Sequence, residues 1–271
     1  MKNFIKGFFA GIFSITPGLS GSILLIILNL YDKCIYEISN IFKTPKKSII
    51  FLLPIALGVV LGIYSFSNII FILIKNYKEE AFIIFTGFIF ASIPNIIKKS
   101  TRHGFKKSYL LSFFIALFVG ISMLHLRSSS IKYNIDYNLF SLIKYTLIGF
   151  ILSISTIIPG ISSTILLSLF NFYGIYIISI SSFNLYVLIP VTLGFIVTTI
   201  IISKIINYLL TNYYGYTYFF ILGFSISTIP TLLSFKISFT FNTIISIILA
   251  IVFFFITYIS IEKATKNVAN L

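Results

Sequence analysis

The feature that most restricts this chain is a series of uncharged apolar blocks at 48–74, 81–97, 109–126, 186–203, 216–235 and 237–261. Each is close to the ~20 residues that an α-helix needs to cross the hydrocarbon of a bilayer. Six membrane spans are predicted. Two further blocks, 7–31 and 145–182, are equally apolar but carry Pro17-Gly18 and Pro159-Gly160 in their interior. Proline there removes an amide donor and clashes with the preceding turn, so each block is expected to break. Split at Pro17, the first block leaves arms of roughly 10 to 14 residues, which reach about 15–21 Å against a ~30 Å core. A re-entrant hairpin fits better than two spans. Its tip places non-helical backbone at membrane depth, which is tolerated only where it is buried in protein or faces a polar cavity. The two tips are therefore expected to mark a site.

With 58% hydrophobic and 10% charged residues, against about 25% charged in a soluble domain, the chain is excluded from the ordinary cytosolic globules. Its net charge of +14 is carried between the apolar blocks and not as a stripe, which suits loops facing anionic lipid and not a nucleic-acid groove. Met1 to Ile15 has Lys2 and Lys6 ahead of an apolar run but no small-x-small cleavage site. It is expected to stay as the first membrane element. With both broken blocks re-entrant and a cytoplasmic N-terminus, 14 of the 20 Lys and Arg fall inside, and Lys75, Lys78, Arg127, Lys132, Lys144 and Lys236 fall outside. The positive-inside rule thus puts both termini on the cytoplasmic face of the cell membrane. Cys34, the single cysteine, excludes an intramolecular disulfide and a cysteine-rich metal cluster.

The landmarks recur. Gly7, Pro17, Gly18 and Ser20 return as Gly149, Pro159, Gly160 and Ser162, 142 positions on; Pro54, Leu57, Gly58, Gly87, Phe88, Ile93 and Pro94 return as Pro190, Leu193, Gly194, Gly223, Phe224, Ile229 and Pro230, 136 positions on. The six-residue change reads as one loop deletion. The expected fold is an all-α polytopic membrane protein built from two inverted-topology repeats. Repeat 1 covers 1–138, with a re-entrant hairpin at 4–31 and transmembrane helices at 48–74, 81–97 and 109–126. Repeat 2 covers 139–271, with a hairpin at 145–182 and helices at 186–209, 216–235 and 237–261. Three crossings per repeat invert the second relative to the first, which is an architecture of secondary transporters.

The broken segments read T-P-G-L-S-G-S (Thr16 to Ser22) and I-P-G-I-S-S-T (Ile158 to Thr164). Pro17 and Pro159 suit the first turn of a new half-helix, where the missing N–H costs nothing. Gly18 and Gly160 let a ligand approach the backbone, and Ser20, Ser22, Ser162, Ser163 and Thr164 add hydroxyl donors. Two half-helix N-termini with their partial positive charge would form an uncharged anion receptor, phosphate being the obvious ligand. The competing reading is that these residues only kink and pack helices. No Asp, Glu, Arg or His lies within 7–31 or 145–182, so no catalytic residue, metal ligand or cofactor is expected at the site. G-F-I-F-A-S-I-P (Gly87 to Pro94) and G-F-S-I-S-T-I-P (Gly223 to Pro230) read as packing surfaces and hinges, and Pro54 and Pro190 as kinks. Lys2, Lys6 and Lys144 are expected to snorkel to headgroups.

The paired P-G-[LI]-S motifs, the trailing Tyr31 and Tyr173, the A-S-I-P and S-T-I-P segments and the eight-element duplication resemble the bacterial polyprenyl-phosphate translocases. The resemblance covers nearly the whole chain. It implies carriage of undecaprenyl phosphate, the lipid carrier of cell-wall precursors, from the outer to the inner leaflet of the cytoplasmic membrane. By motif position it assigns substrate binding to Pro17, Gly18, Ser20, Gly21, Pro159, Gly160 and Ser162. The family's first-repeat pattern, D-x-x-P-G-x-S-G-G-T, stands here with Ser14, Ser22 and Ile23 in place of the acid, the second Gly and the Thr. Ser163 stands where the second repeat usually has Gly. Two alternatives remain: a membrane phosphatase of polyprenyl diphosphate, which also pairs inverted repeats with P-G-x-S segments but needs Glu and Arg there, and a small-anion carrier.

Overall fold

The computed structural model of the protein describes residues 2–16, 19–125, 135–161, 163–230, 243–252 and 254–255. Their regular structure is helical throughout: α1 (Lys2–Ile15), α2 (Gly21–Ile27), α3 (Tyr31–Ser39), α4 (Pro45–Asn76), α5 (Lys78–Ser100), α6 (Tyr109–His125), α7 (Leu139–Ile157), α8 (Ser163–Leu169), α9 (Tyr173–Ser181), α10 (Leu185–Asn212) and α11 (Tyr214–Ser227), followed by an apolar helix, α12 (Thr243–Val252). The predicted spans 216–235 and 237–261 lie only partly within the described residues.

Among the described residues, four helices are long and apolar enough to cross a membrane, namely α4 over Pro45–Ser67, α5 over Glu79–Ser100, α7 and α10. The molecule is a multi-pass membrane protein. The outer faces of α4 and α10 say the same at side-chain level. Leu57, Val60 and Leu61 on one, and Leu193, Ile196 and Val197 on the other, are all exposed. In water such faces would be large sticky patches, whereas in lipid they are the solvated surface. Pro54, Pro94 and Pro190 lie inside continuous helices. Gly87 and Gly223 sit at helix crossings, Gly87 against Ala250 of α12 and Gly223 against the Phe113 carbonyl of α6.

One arm departs from expectation. The second broken block begins at Leu139 and not at 145, because Asn138 and Ser141 form a reciprocal capping box that starts α7 six residues early. At 19 residues α7 is about 28 Å long, near the full hydrocarbon thickness, whereas α1, with 14 residues, keeps the expected short arm.

Element bounds recur with the same two offsets. α2 and α8 differ by 142 at both ends, as do α3 and α9; α4 and α10 end 136 apart, and α5 and α11 begin 136 apart. The six-residue change therefore falls between the end of α3 and the end of α4: the connection 40–44 is shortened by two residues to 182–184, and α10, with 28 residues, is four shorter than α4, with 32. Fine geometry repeats too. Asn29 (φ 55) and Asn171 (φ 58) both hold the left-handed conformation, which asparagine tolerates better than most residues. Each ends its short helix in a Schellman motif: Asn29 N–H to Ile26 O at 3.1 Å and Leu30 N–H to Leu25 O at 2.8 Å, then Asn171 to Ser168 at 3.1 Å and Phe172 to Leu167 at 2.8 Å.

Lipid tails are as apolar as leucine, so helices in a membrane associate through close packing and hydrogen bonds, not through escape from water. Glycine supplies the closeness. A Cβ on Gly7 would lie 2.2 Å from the Ile55 carbonyl oxygen, and one on Gly149 would lie 2.0 Å from that of Val191. In return, Gly58 meets the Phe4 carbonyl and Gly194 that of Thr146. These contacts lock α1 to α4 and α7 to α10. The two sets of helices meet where α5 packs on α11 and where α3 lies along α10.

Candidate functional site

Both broken segments close with an i to i+3 backbone hydrogen bond. Leu19 N–H donates to Thr16 O at 3.1 Å, and 142 positions on Ile161 N–H donates to Ile158 O at 3.4 Å. Pro17, Gly18 and Ser162 lie outside the described residues, as does the side chain of Thr164. Pro159 and Gly160 are buried. Gly160 has φ +88, and a Cβ there would come within 2.7 Å of Ser225 N on α11. Glycine is thus required twice, by conformation and by space. The second break rests directly on the G-F-S-I-S-T-I-P helix, which explains why that motif accompanies the Pro-Gly motif in the sequence.

Around the first break Thr16, Leu19, Ser20, Gly21 and Ser22 are all buried. Ser20 is the extended N-cap residue of α2, yet its hydroxyl makes no cap bond; it pairs with Ser22 Oγ at 2.6 Å. Two adjacent hydroxyls in a dry setting leave further lone pairs and donor directions for a ligand. Gly21 would carry a Cβ 2.1 Å from Ser14 Oγ and 2.6 Å from the Ala10 carbonyl oxygen, so its smallness seats α2 against α1. Ser163, the first residue of α8, is half-buried. α2 and α8 have seven residues each, so any positive potential at their starts comes from first-turn amides and not from a long macrodipole.

The two breaks are linked. Tyr31, wholly buried at the start of α3, donates its hydroxyl to the Ile157 carbonyl at 2.9 Å, at the end of α7 just before the second break. Ile26, Tyr31, Ile157 and Ile221 share one buried cluster. Lys6 Nζ donates to the Leu28 carbonyl at 3.1 Å and finishes the C-terminus of α2.

A second polar cluster lay hidden in the sequence. Asp32 accepts from the Tyr218 hydroxyl and pairs with Lys99 Nζ at 3.8 Å, and Lys99 also reaches Tyr218 Oη at 3.5 Å. These three side chains come from α3, α5 and α11, far apart along the chain, so no local spacing betrayed them. Buried Asn95, beside Pro94, has an amide nitrogen without a partner among the described residues, which is costly unless something else satisfies it.

Two chain breaks, each closed by an i to i+3 backbone hydrogen bond and followed by a short helix, lie among the long apolar helices of a multi-pass membrane protein. The chain belongs to the undecaprenyl phosphate translocase-like family, whose profile matches residues 1–84 and 37–247. It is similar to a polyprenyl-phosphate transporter of Staphylococcus aureus, with 28% identity over 84% of each chain. It is also similar to one of Vibrio cholerae, with 22% identity over 87% of this chain and 78% of the other. No solved structure matches it.

Proposed function

We propose that the protein carries polyprenyl phosphate, specifically undecaprenyl phosphate, from the outer to the inner leaflet of the cytoplasmic membrane, where the lipid returns to cell-wall synthesis. The observation that carries this reading is the matched pair of breaks, with Leu19 bonded to Thr16 and Ile161 to Ile158, in a chain of this family. The two halves act as inverted repeats with re-entrant tips, and both termini face the cytoplasm. A phosphate head must pass ~30 Å of hydrocarbon in which an unpaired charge is very costly. At turns opened by Pro17 and Pro159, the amides and hydroxyls of Gly18, Ser20, Gly21 and Ser22, and of Gly160, Ser162, Ser163 and Thr164, replace its water, and rocking of one repeat against the other changes the leaflet it sees. The protein is a carrier and not an enzyme, since the acids, arginines and histidines a phosphatase would use are missing from 7–31 and 145–182.

The test is leaflet-resolved movement of polyprenyl phosphate in reconstituted vesicles. Gly160→Ala and the double change Ser20→Ala with Ser22→Ala are expected to lower the rate at least tenfold with membrane insertion intact. An unchanged rate in both removes the breaks from the mechanism. Release of phosphate from polyprenyl diphosphate by the purified protein would favour the enzyme reading instead, and competition by inorganic phosphate equal to that by lipid phosphate would favour a small-anion carrier.

A further inference from the structure

Beside the first break lies an apolar cavity of about 510 Å³ between α4 and α5, within the ~300–1,000 Å³ of small-molecule sites. Its lining includes Thr16 and Leu19 beside the break, Ile70, Leu73, Ala81 and Phe85 along α4 and α5, and one carboxylate, Glu80. Leu19, Ile70, Ala81 and Phe85 are buried and Leu73 is exposed, so it runs from the protein surface to the break. The same location in the second half is full. Ile206 and Ile221, which stand 136 positions after Ile70 and Phe85, are packed in one cluster with Ile26, Tyr31 and Ile35. α3 of the first half lies along α10, whereas its counterpart α9 does not lie along α4 in this way. Tyr173, the counterpart of Tyr31, is only half-buried.

We infer that this cavity receives the head-proximal isoprene units of the polyprenyl chain while the phosphate sits at the first break, and that the protein alternates between this state and its mirror state. In the mirror state α9 seats Tyr173 in the cavity, with its hydroxyl on the Ile15 carbonyl, as Tyr31 now sits on that of Ile157. α3 then withdraws and opens the matching space between α10 and α11. This deepens the proposed transport function and rests on it. The tail is therefore sheltered by protein at the head-proximal end, and the shape of the first isoprene units becomes a basis of selection. Apolar walls next to a polar turn suit a lipid whose charge and chain meet at one atom. The cavity's continuity with the Thr16 turn selects this occupant over an acyl chain of the surrounding bilayer.

The experiment has two arms. In a Cys34→Ala background, Tyr173→Cys paired with Phe85→Cys is treated with a short bis-maleimide in membranes, beside Tyr31→Cys paired with Ile221→Cys. Both pairs are expected to link, and the linked fraction of each to lose transport. Linking of the Tyr31 pair alone, in a double variant that still transports, overturns the exchange. For the second arm, wild-type protein is labelled with a polyprenyl phosphate carrying a diazirine on its first isoprene unit. Label is expected on the α5 stretch around Ala81 and Phe85, displaced at least tenfold better by unlabelled undecaprenyl phosphate than by phosphatidylglycerol. Label elsewhere, or equal displacement by both lipids, overturns the cavity assignment. If wild type moves no polyprenyl phosphate but the Tyr173 pair still links, the transport reading fails and the exchange stands.

Discussion

The first and second halves share a plan of elements and differ in what fills it. In the first half the α1–α4 crossing uses two glycines per helix: Gly7 and Gly11 against Ile55 and Val59, and Gly58 and Gly62 against Phe4 and Phe8. In the second half only Gly149 and Gly194 remain, and Ser153 and Thr198 stand where Gly11 and Gly62 would be. There Ser153 Oγ and Thr199 Oγ1 pair at 3.0 Å. One crossing is thus held by backbone contact along two turns, the other by contact at one turn and a hydrogen bond at the next. Charge is unequal as well. Asp32 and Glu37 of α3 correspond to Gly174 and Ser179 of α9. Glu37 is buried with Ser48 donating to it at 2.9 Å. The difference teaches that the two halves share a series of elements, while α3, unlike α9, carries charged groups that bind it to other helices.

The largest expected effect tests the crossings. Gly11→Val places carbon where the Val59 carbonyl oxygen is 2.2 Å from the Cβ position, so the helices must separate, at a cost of about 3 kcal/mol. Ser153→Ala removes only one hydrogen bond, which in membranes averages about 0.6 kcal/mol. Thermal midpoints of the two variants in the same detergent check the ranking; equal losses would mean that the two crossings are held alike.

The shared plan was legible because its determinants are local. Pro17 and Pro159, the apolar block lengths and the co-linear glycines each act within a turn or at one contact, and they recur at fixed offsets. Asn29 and Asn171 carried a further local signal, as left-handed helix ends two residues before Tyr31 and Tyr173. The early start of α7 was missed because Asn138 and Ser141 act through side-chain caps outside the apolar run. The Asp32, Lys99 and Tyr218 cluster was illegible for another reason: each residue reads as an ordinary interfacial group until α3, α5 and α11 are brought together. Of the site residues, Ser20 and Gly160 lie at the chain breaks and Ser22 in the first turn of α2, all buried.

That cluster gives the next expected effect. Asp32→Asn leaves Lys99, whose side chain is 13% exposed, without its carboxylate, whereas Lys99→Met leaves Asp32 at 38% exposure and still bonded to Tyr218. The more buried charge suffers more from losing its partner. Asp32→Asn should cost about 2 kcal/mol, below the ~3–5 kcal/mol of a fully buried pair, and Lys99→Met less. Urea-free thermal unfolding in nanodiscs would rank them. Because the positions matching Asp32 and Lys99 hold Gly174 and Phe235, Gly174→Asp adds a carboxylate without the matching lysine, and it should destabilise the protein instead of restoring symmetry.

The smallest effect separates the halves by sign. Tyr31→Phe deletes the hydroxyl that donates to the Ile157 carbonyl at 2.9 Å, worth about 1 kcal/mol net. That shifts an equilibrium by about fivefold. If the two halves exchange seats, the shift favours the mirror state, so cross-linking at Tyr173→Cys with Phe85→Cys should rise in the Tyr31→Phe background. Tyr173→Phe removes nothing from the present state and weakens only the other one. It should raise cross-linking between Ile26→Cys and Ile221→Cys, a pair drawn from the cluster that Tyr31 now fills, and leave the thermal midpoint where it is. Shifts toward opposite states, each pair rising only with its own substitution, are what two seats competing for occupancy require; no rise in either pair would mean that Tyr31 is a fixed brace and Tyr173 merely its surface copy.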